Sequence, residues 1–436
     1  TQTASGELLA TESFSGSGSN WVNHGRIASD GSSALQLAGN YSGNGELTSI
    51  AALTLVAGQV ALNDSTRISG GGLTTIATSG ALNNAGRLSS ASDLVVNAAE
   101  VYNGGTLGAA RDFTLTTGAL VNEGGLLFSG NSMGLRVASL LNRSASIYSL
   151  GSLTVDRDGQ GNRAASLFNS SGSIRSDAGM LLAVDSLRNE RTVLKTTNTG
   201  LYTAQISQYD DCYANTDCSS GKRAYFWAVV QRDRHEVTES SAASSITSGS
   251  NLEIKASSLT NASSTIASAG NFTASLASLD NLGLQVGETE TTQVFQTERT
   301  RNPDWWFEQA ASFTDRYWYL SPGYDGNDLS GLAAAMGIFL DRTERSIADW
   351  AKSTVISSGD ERYAAIIQAG GTASITVAGN LNNSVVRPGF TYVGPGARAE
   401  TGADGTKHST QISINTQLPP DLARHQINPL SLDGFS

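Results

Sequence analysis

An asparagine flanked by apolar residues recurs about every twenty positions through the first half of the chain, and again further along. A leucine or isoleucine follows each of these asparagines in the first half by three to five positions, and a second apolar run follows most of them. Self-similarity at a fixed period of this length is the sequence signature of a solenoid. The asparagines of the series are Asn23, Asn44, Asn63, Asn83, Asn103, Asn122, Asn142, Asn169, Asn189, Asn261 and Asn281.

The residues between the asparagines indicate which solenoid forms. Apolar positions alternate with Thr, Ser or Arg over three to five residues, which is the period of a β-strand. Gly, Asn and Ser lie between these runs, where the chain must turn. A twenty-residue coil accommodates two or three short strands and no helix, so we predict a mainly all-β fold, a right-handed parallel β-helix. Stacking would place equivalent asparagines about 4.8 Å apart, close enough for a ladder of side-chain amides.

Composition agrees with a long secreted β-structure. Charged residues make up 15% of the 436 residues, against about 25% in ordinary domains, and there are 47 glycines. A net charge of −11 argues against nucleic acid and against electrostatic attachment to anionic lipid. We expect a monomer. The chain opens in mid-pattern without a signal peptide, so we interpret it as a segment of a longer protein.

The repeat is interrupted twice, and it looks unchanged on either side of each interruption. We therefore expect the coils to continue beneath two insertions. The predicted organisation is β-helix coils at 1–194, an insertion with a disulfide loop at 195–245, coils at 246–284, an aromatic-rich insertion with helices at 285–364, a last coil at 365–383, and an irregular Pro- and Gly-containing tail or linker at 384–436.

The two insertions hold 18 of the 30 aromatic residues, although they cover under a third of the chain. Featureless loops of this length are uncommon, so we predict that they form a small α+β unit with an aromatic core. Adjacent rings such as Trp305–Trp306 and Trp318–Tyr319 do not easily both point inward, and exposed aromatic and arginine side chains dominate binding hot spots. The candidate binding residues are Tyr225, Trp227, Trp305, Trp306, Arg316, Trp318 and Tyr319.

The second insertion also carries helical signals. Asn302 followed by Pro303 is a good helix start and predicts a helix to about Thr314. A second helix is predicted to begin near Asn327 or Asp328, with one apolar face. An alternative for this apolar segment is a membrane-active one, but it is too short to span a bilayer. The predicted face comprises Leu329, Leu332, Met336, Phe339, Leu340, Ile347 and Trp350.

The two cysteines of the chain, Cys212 and Cys218, are separated by five residues in the first insertion. No further cysteine or nearby histidine completes a four-ligand zinc site, and the C-x-x-C redox spacing is absent. We therefore predict a local disulfide that pins a surface loop. Such a bond implies an oxidising, extracytoplasmic location.

Catalytic signatures are missing. The four histidines are scattered, and the sequence contains no G-x-S-x-G, H-E-x-x-H or P-loop motif. We predict a protein that is not an enzyme and needs no metal or cofactor. The alternative is a polysaccharide-binding or lyase β-helix, which groups Asp, Lys and Arg on one outer groove. The repeats here show little such clustering.

The run L-N-N-A-G-R-L-S-S at 82–90 resembles the repeat of filamentous haemagglutinin proteins, and so do V-N-E-G-G-L at 121–126 and the other coils. These proteins are large exoproteins of Gram-negative two-partner secretion. The closing segment, L-P-P-D-L at 418–422 through N-P-L-S-L at 428–432, is similar to a stretch of contact-dependent growth inhibition effectors of the CdiA type.

This resemblance implies a function. In such effectors a rod projects from the producing cell, a non-repetitive region recognises a receptor on a target bacterium, and a toxin lies at the far carboxyl end. The chain would then be secreted or held at the surface of a Gram-negative cell. Its partners would be an outer-membrane transporter for secretion and an outer-membrane receptor, either protein or lipopolysaccharide. The competing hypothesis is a generic adhesin rod or spacer without its own receptor site.

Overall fold

The computed structural model describes residues 1–210, 221–284, 286–358 and 363–386. These residues belong to one structural unit, Thr1–Ala403, and the second unit, Asp404–Ser436, lies outside them. Most of the described chain is β-strand, stacked in parallel into a solenoid of about 13 turns with about 20 residues each. The predicted parallel β-helix is therefore confirmed.

The coils before the first insertion contain the first 24 strands. Each coil places one strand in a 12-stranded parallel sheet and the rest of its strands in a 20-stranded sheet. In chain order, β1 to β24 are Glu7–Ala10, Phe14–Gly18, Trp21–Asn23, Arg26–Ser29, Ser33–Leu37, Asn40–Gly43, Glu46–Ser49, Leu53–Ala57, Gln59–Leu62, Arg67–Gly70, Thr74–Thr78, Ala81–Asn84, Arg87–Ser90, Leu94–Asn97, Glu100–Asn103, Thr106–Ala109, Phe113–Glu123, Leu126–Ser129, Met133–Arg143, Ser146–Ser149, Leu153–Asp156, Ala164–Ser170, Ser173–Ser176 and Met180–Glu190.

The remaining elements alternate between the insertions and the coils. The described part of the second insertion contains two α-helices and the 3₁₀-helix Ala348–Trp350. In chain order the elements are β25 (Leu194–Asp210), β26 (Phe226–Ser240), β27 (Ser245–Ser248), β28 (Leu252–Ala262), β29 (Thr265–Ser268), β30 (Phe272–Leu276), β31 (Ser278–Leu284), β32 (Gly287–Thr297), α1 (Asp304–Tyr317), α2 (Leu332–Leu340), β33 (Thr343–Ser346), the 3₁₀-helix Ala348–Trp350, β34 (Lys352–Ser358), β35 (Ile366–Ala369), β36 (Ala373–Val377) and β37 (Leu381–Val386).

The apolar residue that follows each repeat asparagine forms a stack through the coil interior. Parallel registry pairs Ile68 with Leu88, and Leu88 with Leu107, so equivalent side chains lie directly above one another. Each buried side chain of this kind contributes roughly 1.5–3 kcal/mol of transfer free energy. The period in the sequence thus reflects one core position per coil. The stack comprises Ile27, Leu47, Ile68, Leu88, Leu107, Leu127, Ile147, Ile174, Ile246 and Ile266.

A ladder of buried amides accompanies this stack. The Nδ2 group of each asparagine donates to the Oδ1 atom of the next, over distances of 2.7–2.8 Å. The same Nδ2 groups also donate to backbone carbonyls at the following turn, such as Ala145 O at 3.1 Å from Asn142. One asparagine side chain in each of these coils therefore stabilises both the stacking on the next coil and the geometry of the turn. Its buried members are Asn84, Asn103, Asn122, Asn142, Asn169, Asn189, Asn261 and Asn281, and the exposed Asn383 accepts the bond from Asn281.

Four asparagines of the predicted series, Asn23, Asn44, Asn63 and Asn83, lie outside the ladder. Asn83 points outward, because the pleat of β12 places Leu82 and Asn84 in the interior. Asn44 is exposed, and its Oδ1 atom lies 2.6 Å from the His24 ring. Position 43 holds the glycine that pairs with Asn23, and a Cβ there would lie 1.9 Å from the Asn23 carbonyl oxygen.

The next coil breaks the ladder differently. Asn63 is exposed, and the inward position belongs to Leu62, which pairs with Gly43 on one side and with Asn84 on the other. The Thr66 hydroxyl donates to the Gly43 carbonyl at 2.7 Å. Asn23 stands apart at the start of the rod, where its Nδ2 atom bonds to the Tyr41 hydroxyl.

The coils continue directly beneath both insertions. Across the first, β23 pairs with β27, and Asn189 donates to Asn261 at 2.8 Å. Across the second, β29 pairs with β35, and Asn281 donates to Asn383 at 2.7 Å. We call the stacked coils of residues 7–190, 245–284 and 366–386 the rod. Both insertions leave it between in-register strands.

The two insertions combine into one structure, which we call the head (described residues 194–210, 221–240 and 287–358). Strands β25 and β26 form an antiparallel hairpin, and β26 pairs antiparallel with β32 of the second insertion. Strands β33 and β34 both pair with β32 and complete a five-stranded sheet. A core separate from that of the rod lies between this sheet and the helices, lined by Ala204, Ile206, Trp227, Val229, Phe295, Trp306, Ala310, Phe313, Tyr317, Leu332, Met336, Phe339 and Leu340.

The helices differ from the prediction in their bounds. Helix α1 runs to Tyr317, three residues beyond the expected end, and the Asn302 side chain accepts a hydrogen bond from the Asp304 backbone at 3.2 Å. Helix α2 begins after Gly331, which has a positive φ of 83°, and ends at Leu340. The expected continuation through Ile347 and Trp350 is wrong. Both residues instead pack on the opposite face of the sheet, against Phe226, Ala228 and Val294.

Two predictions concern segments outside the described residues, wholly or in part. Cys212 and Cys218, with the proposed disulfide loop, lie in the undescribed segment 211–220. The predicted tail at 384–436 is described only for its first three residues, which extend β37. Among the described helices, none is long and apolar enough to cross a membrane.

Candidate binding site on the head

Two of the seven candidate binding residues lie in the head core. Trp227 is 1% exposed, and its ring packs against those of Phe307 and Phe339, with centroids 5.2 and 5.5 Å away. Trp306 is also buried and packs edge-on against Phe339 at 5.2 Å. Because neither ring is accessible, we assign both to stability of the head and not to direct contact with a partner.

Trp305 and Tyr225 are half-buried at the edge of the same core. The Trp305 ring stacks on Phe339, and the guanidinium carbon of Arg342 lies 3.9 Å above its centroid. Tyr225 packs edge-on against Phe307 at 6.0 Å. The pair Trp305–Trp306 therefore behaves as expected for adjacent rings on a helix, with one inside and one partly exposed.

The other three candidates lie around the end of α1. Tyr319 is 38% exposed, and Trp318 is half-buried beside it with ring centroids 4.9 Å apart. Arg316 extends into solvent, with its nearest acidic partner Asp328 at 3.5 Å. The structure thus brings Arg316, Trp318 and Tyr319 into one accessible region.

Arginines from β26, which the sequence-based candidates did not include, meet this region. The Arg232 guanidinium lies over both Trp318 and Tyr319, 5.1 and 4.9 Å from their centroids. Arg234 lies 4.8 Å over the ring of Tyr202 from β25. Such cation–π contacts contribute about 0.5–2 kcal/mol each, depending on desolvation. We call Tyr202, Arg232, Arg234, Trp318 and Tyr319 the aromatic–arginine surface.

Two ion pairs cross from β26 to β32 beneath these rings. Arg232 Nε donates to Glu290 at 2.8 Å, and Arg234 donates to Glu288 at 2.6 and 2.9 Å. Each arginine also faces its glutamate in the strand register. The sequence does contain a signal for these two ion pairs. R-D-R at 232–234 and E-T-E at 288–290 place like charges on alternate positions of two strands that pair in antiparallel fashion.

Hydrogen bonds fix the backbone that carries the exposed rings. The buried Thr203 hydroxyl donates to the Tyr317 carbonyl at 2.9 Å and accepts from the Tyr319 amide at 2.8 Å. The Tyr324 hydroxyl donates to the Tyr202 carbonyl at 2.7 Å. A surface held in this way loses little conformational entropy when a partner binds.

The ion pairs predict an acid-sensitive head. Hydrogen bonds from Arg234 hold the pKa of Glu288 below its ordinary value of 4.5, so the carboxylate stabilises the folded head above that pH. The contribution is lost as pH falls through the lowered value. It is about 1 kcal/mol or less, because Arg234 is 44% exposed. We expect Glu288→Gln to lower the thermal midpoint of the head at pH 7 and to flatten its pH dependence below 4.5.

Thermal melts followed by tryptophan fluorescence at stepped pH values test this expectation. The matched control is Glu253→Gln, which removes an exposed carboxylate of the rod that pairs with Lys255 at 3.1 Å. An acid transition that is identical in Glu288→Gln and the parent chain would contradict the assignment.

His235 is a further group of the head whose environment the sequence did not predict. It lies on β26 and is buried, with neither ring nitrogen in a hydrogen bond, and burial lowers its pKa. The side chain is therefore neutral in the folded head at neutral pH. In the described part of the chain, no three His, Cys, Asp or Glu side chains converge where a metal ion could bind.

A continuous parallel solenoid of about twenty-residue coils, carrying one inserted head with an accessible aromatic and arginine surface, defines a filament-like segment with a folded insertion. The Haemagglutinin repeat family matches residues 3–86, 67–163, 161–201, 233–289 and 340–385, which is more than half of the chain, and the chain belongs to this family. No curated protein and no solved structure matches it.

Family membership agrees with the resemblance drawn from the repeat sequences. Haemagglutinin repeats indicate a filamentous, adhesin-like segment of a secreted or surface protein, in the general context of two-partner secretion. The matches include the coils on both sides of each insertion, while residues 202–232 and 290–339 of the head remain unmatched. The part of the chain that bears the aromatic–arginine surface is therefore largely outside the repeat pattern.

Proposed function

We propose that this chain is the receptor-recognising region of a contact-dependent growth inhibition effector of the CdiA type, and that the head contacts an outer-membrane receptor on a target bacterium. Recognition would bring the cells together so that a toxin carried elsewhere on the full-length protein is delivered. The chain itself would be non-catalytic. Its secretion would depend on an outer-membrane transporter partner.

One observation supports this proposal above the others. Strand β26 of the first insertion pairs with β32 of the second, although the five rod strands β27 to β31 lie between them in the chain. A rod needs no such structure to stack, because its coils are in register without it. The head is therefore an independent addition that the rod holds out, which is what a recognition module requires.

The competing hypothesis is a rod segment whose insertions are decoration without a receptor site. The rings at the head surface favour recognition, because an exposed tyrosine and a half-buried tryptophan that share the guanidinium of Arg232 have the composition of a binding hot spot. A purely decorative surface would need none of them. The two hypotheses predict opposite results when the head is removed.

Removal of the head must take both insertions, since deletion of 285–364 alone would strip β32 from β26 and expose the hairpin core. We therefore propose excising 194–240 and 287–358 together with short glycine bridges. Binding of the purified, labelled chain to receptive Gram-negative cells should be lost, while the rod stays folded by circular dichroism. Unchanged binding by the headless rod would support the spacer hypothesis.

Point variants locate the contact within the head. Tyr319→Ala with Trp318→Ala should weaken binding to target cells by roughly 30-fold or more, the effect of losing about 2 kcal/mol at a hot spot. The matched control is Tyr209→Ala, because Tyr209 is 53% exposed on the same head but packs against Trp350 on the other face of the sheet. Equal losses for both variants would contradict the assignment of this surface.

A further inference from the structure

The outer face of the rod carries an apolar row in four consecutive coils. Strand registry places Tyr102 beside Val121, Val121 beside Leu141, and Leu141 beside Phe168. All four side chains point outward, and the two rings are exposed. We call these four residues the stripe.

The stripe has defined ends. The equivalent outward position is Asn83 in the coil before Tyr102, and it is Arg188 in the coil after Phe168. Arg188 lies 5.7 Å over the Phe168 ring and pairs with Glu190 at 2.7 Å. Outward positions of a solvated sheet face are normally polar, so a bounded run of four apolar residues is a candidate interaction surface.

The order of residues along the stripe reads the same in both directions. It runs aromatic, aliphatic, aliphatic, aromatic from Tyr102 to Phe168. A second copy of the rod that lies face to face and antiparallel would set Tyr102 against Phe168 of the second copy, and Val121 against Leu141 of the second copy. A two-fold axis between the coils of Val121 and Leu141 generates both contacts, which is the self-complementarity of an isologous interface.

The charges beside the stripe obey the same symmetry. Glu123 and Arg143 occupy equivalent positions in the two central coils and pair at 3.3 Å within one chain. The antiparallel arrangement places Glu123 against Arg143 of the second copy, and Arg143 against Glu123 of the second copy. On the other side of the stripe lie the small outward residues Ala119 and Ser139, which allow close approach.

We propose that the stripe is a self-association surface through which two rods pair side by side in opposite directions. A surface four coils long spans only about 15–20 Å, so one contact is weak and belongs to the small, transient class of interfaces. Filaments that project from two facing surfaces would meet in opposite directions, make many such contacts simultaneously and gain avidity. This proposal departs from the monomer expected from the sequence, and it does not depend on the function of the head.

Charge-swap variants test the antiparallel arrangement directly. In Glu123→Arg, Arg143 faces an arginine of the second copy, and in Arg143→Glu, Glu123 faces a glutamate of the second copy. Each variant alone should lose self-association at least tenfold in sedimentation velocity at high concentration and low salt. A mixture of the two should restore it, because every facing pair is then of opposite charge.

The control variant is Glu46→Arg, which makes the same charge change on the other sheet, between Arg26 and Arg67. It should leave self-association unchanged. Far-UV circular dichroism verifies that every variant keeps the solenoid. Failure of the parent chain to self-associate overturns the proposal, and so does association that the single variants retain or that the mixture fails to restore. An extended glycan bound to the stripe of a strictly monomeric chain is one such overturning result.

Discussion

Replacing Asn142 with alanine should destabilise the rod by about 3–5 kcal/mol, although it removes only a small uncharged group. The Asn142 amide donates to Asn169 at 2.8 Å and to the Ala145 carbonyl at 3.1 Å, and it accepts from Asn122 at 2.8 Å. All these groups are buried in the rod, and each one left without a partner costs about 1–3 kcal/mol. Urea denaturation and native-state hydrogen exchange measure the loss.

The loss should be concentrated near the substituted coil, because each coil contacts only its neighbours. Exchange protection should fall most for the strands 126–129, 146–149 and 173–176, which flank the turn that the amide holds. Asn83→Ala is the matched control, since Asn83 belongs to the same repeat pattern but points outward. It should change stability by no more than about 0.5 kcal/mol. Equal effects of the two substitutions would show that the ladder contributes no more than an exposed asparagine.

Replacing Trp227 with alanine should unfold or loosen the head while the rod stays intact. The indole fills the space between Phe307 and Phe339 at the centre of the head core, and large-to-small changes of this kind cost roughly 3–5 kcal/mol. Near-ultraviolet circular dichroism reports the packing of the head rings. Hydrogen exchange at 287–297 reports the strand that joins the two insertions.

The matched control is Ile338→Ala, because Ile338 lies on the outer side of α2 and is 59% exposed. It should leave both signals unchanged within error. Protection of the rod strands 245–248 and 265–268 should survive in Trp227→Ala, since they pair with neighbouring coils and not with the head. Simultaneous loss of rod and head protection would contradict the separation of the two cores.

The rod could be predicted because its physics is local and repeated. One apolar core position and one amide recur with each coil, so the period survives in the sequence even where two long insertions interrupt it. The assignment of Asn83 failed because Asn83 and Asn84 are adjacent, and a side-chain period of two decides which of them faces inward. The assignments of Asn44 and Asn63 to the ladder were wrong because Gly43 and Leu62 occupy the inward positions of their coils.

The aromatic content of the insertions predicted a folded head, but the sequence did not predict how its strands pair. The pairing of β26 with β32 joins residues about sixty positions apart. A single antiparallel pairing of this kind produces no repeated spacing in the sequence. The split between buried Trp227 and accessible Tyr319 follows from that pairing. The sequence did not indicate Arg232 and Arg234 for the same reason, because their ion pairs with Glu290 and Glu288 form only when β26 lies beside β32.

The central claim is that one uninterrupted rod carries a head that both insertions build, and hydrogen exchange on the headless chain tests it most directly. Residues 173–176 and 245–248 pair across the whole first insertion, as do 265–268 and 366–369 across the second. We predict that all four segments keep their slow exchange when 194–240 and 287–358 are excised together. Fast exchange in these segments would mean that the insertions hold the coils together, and the account would be wrong.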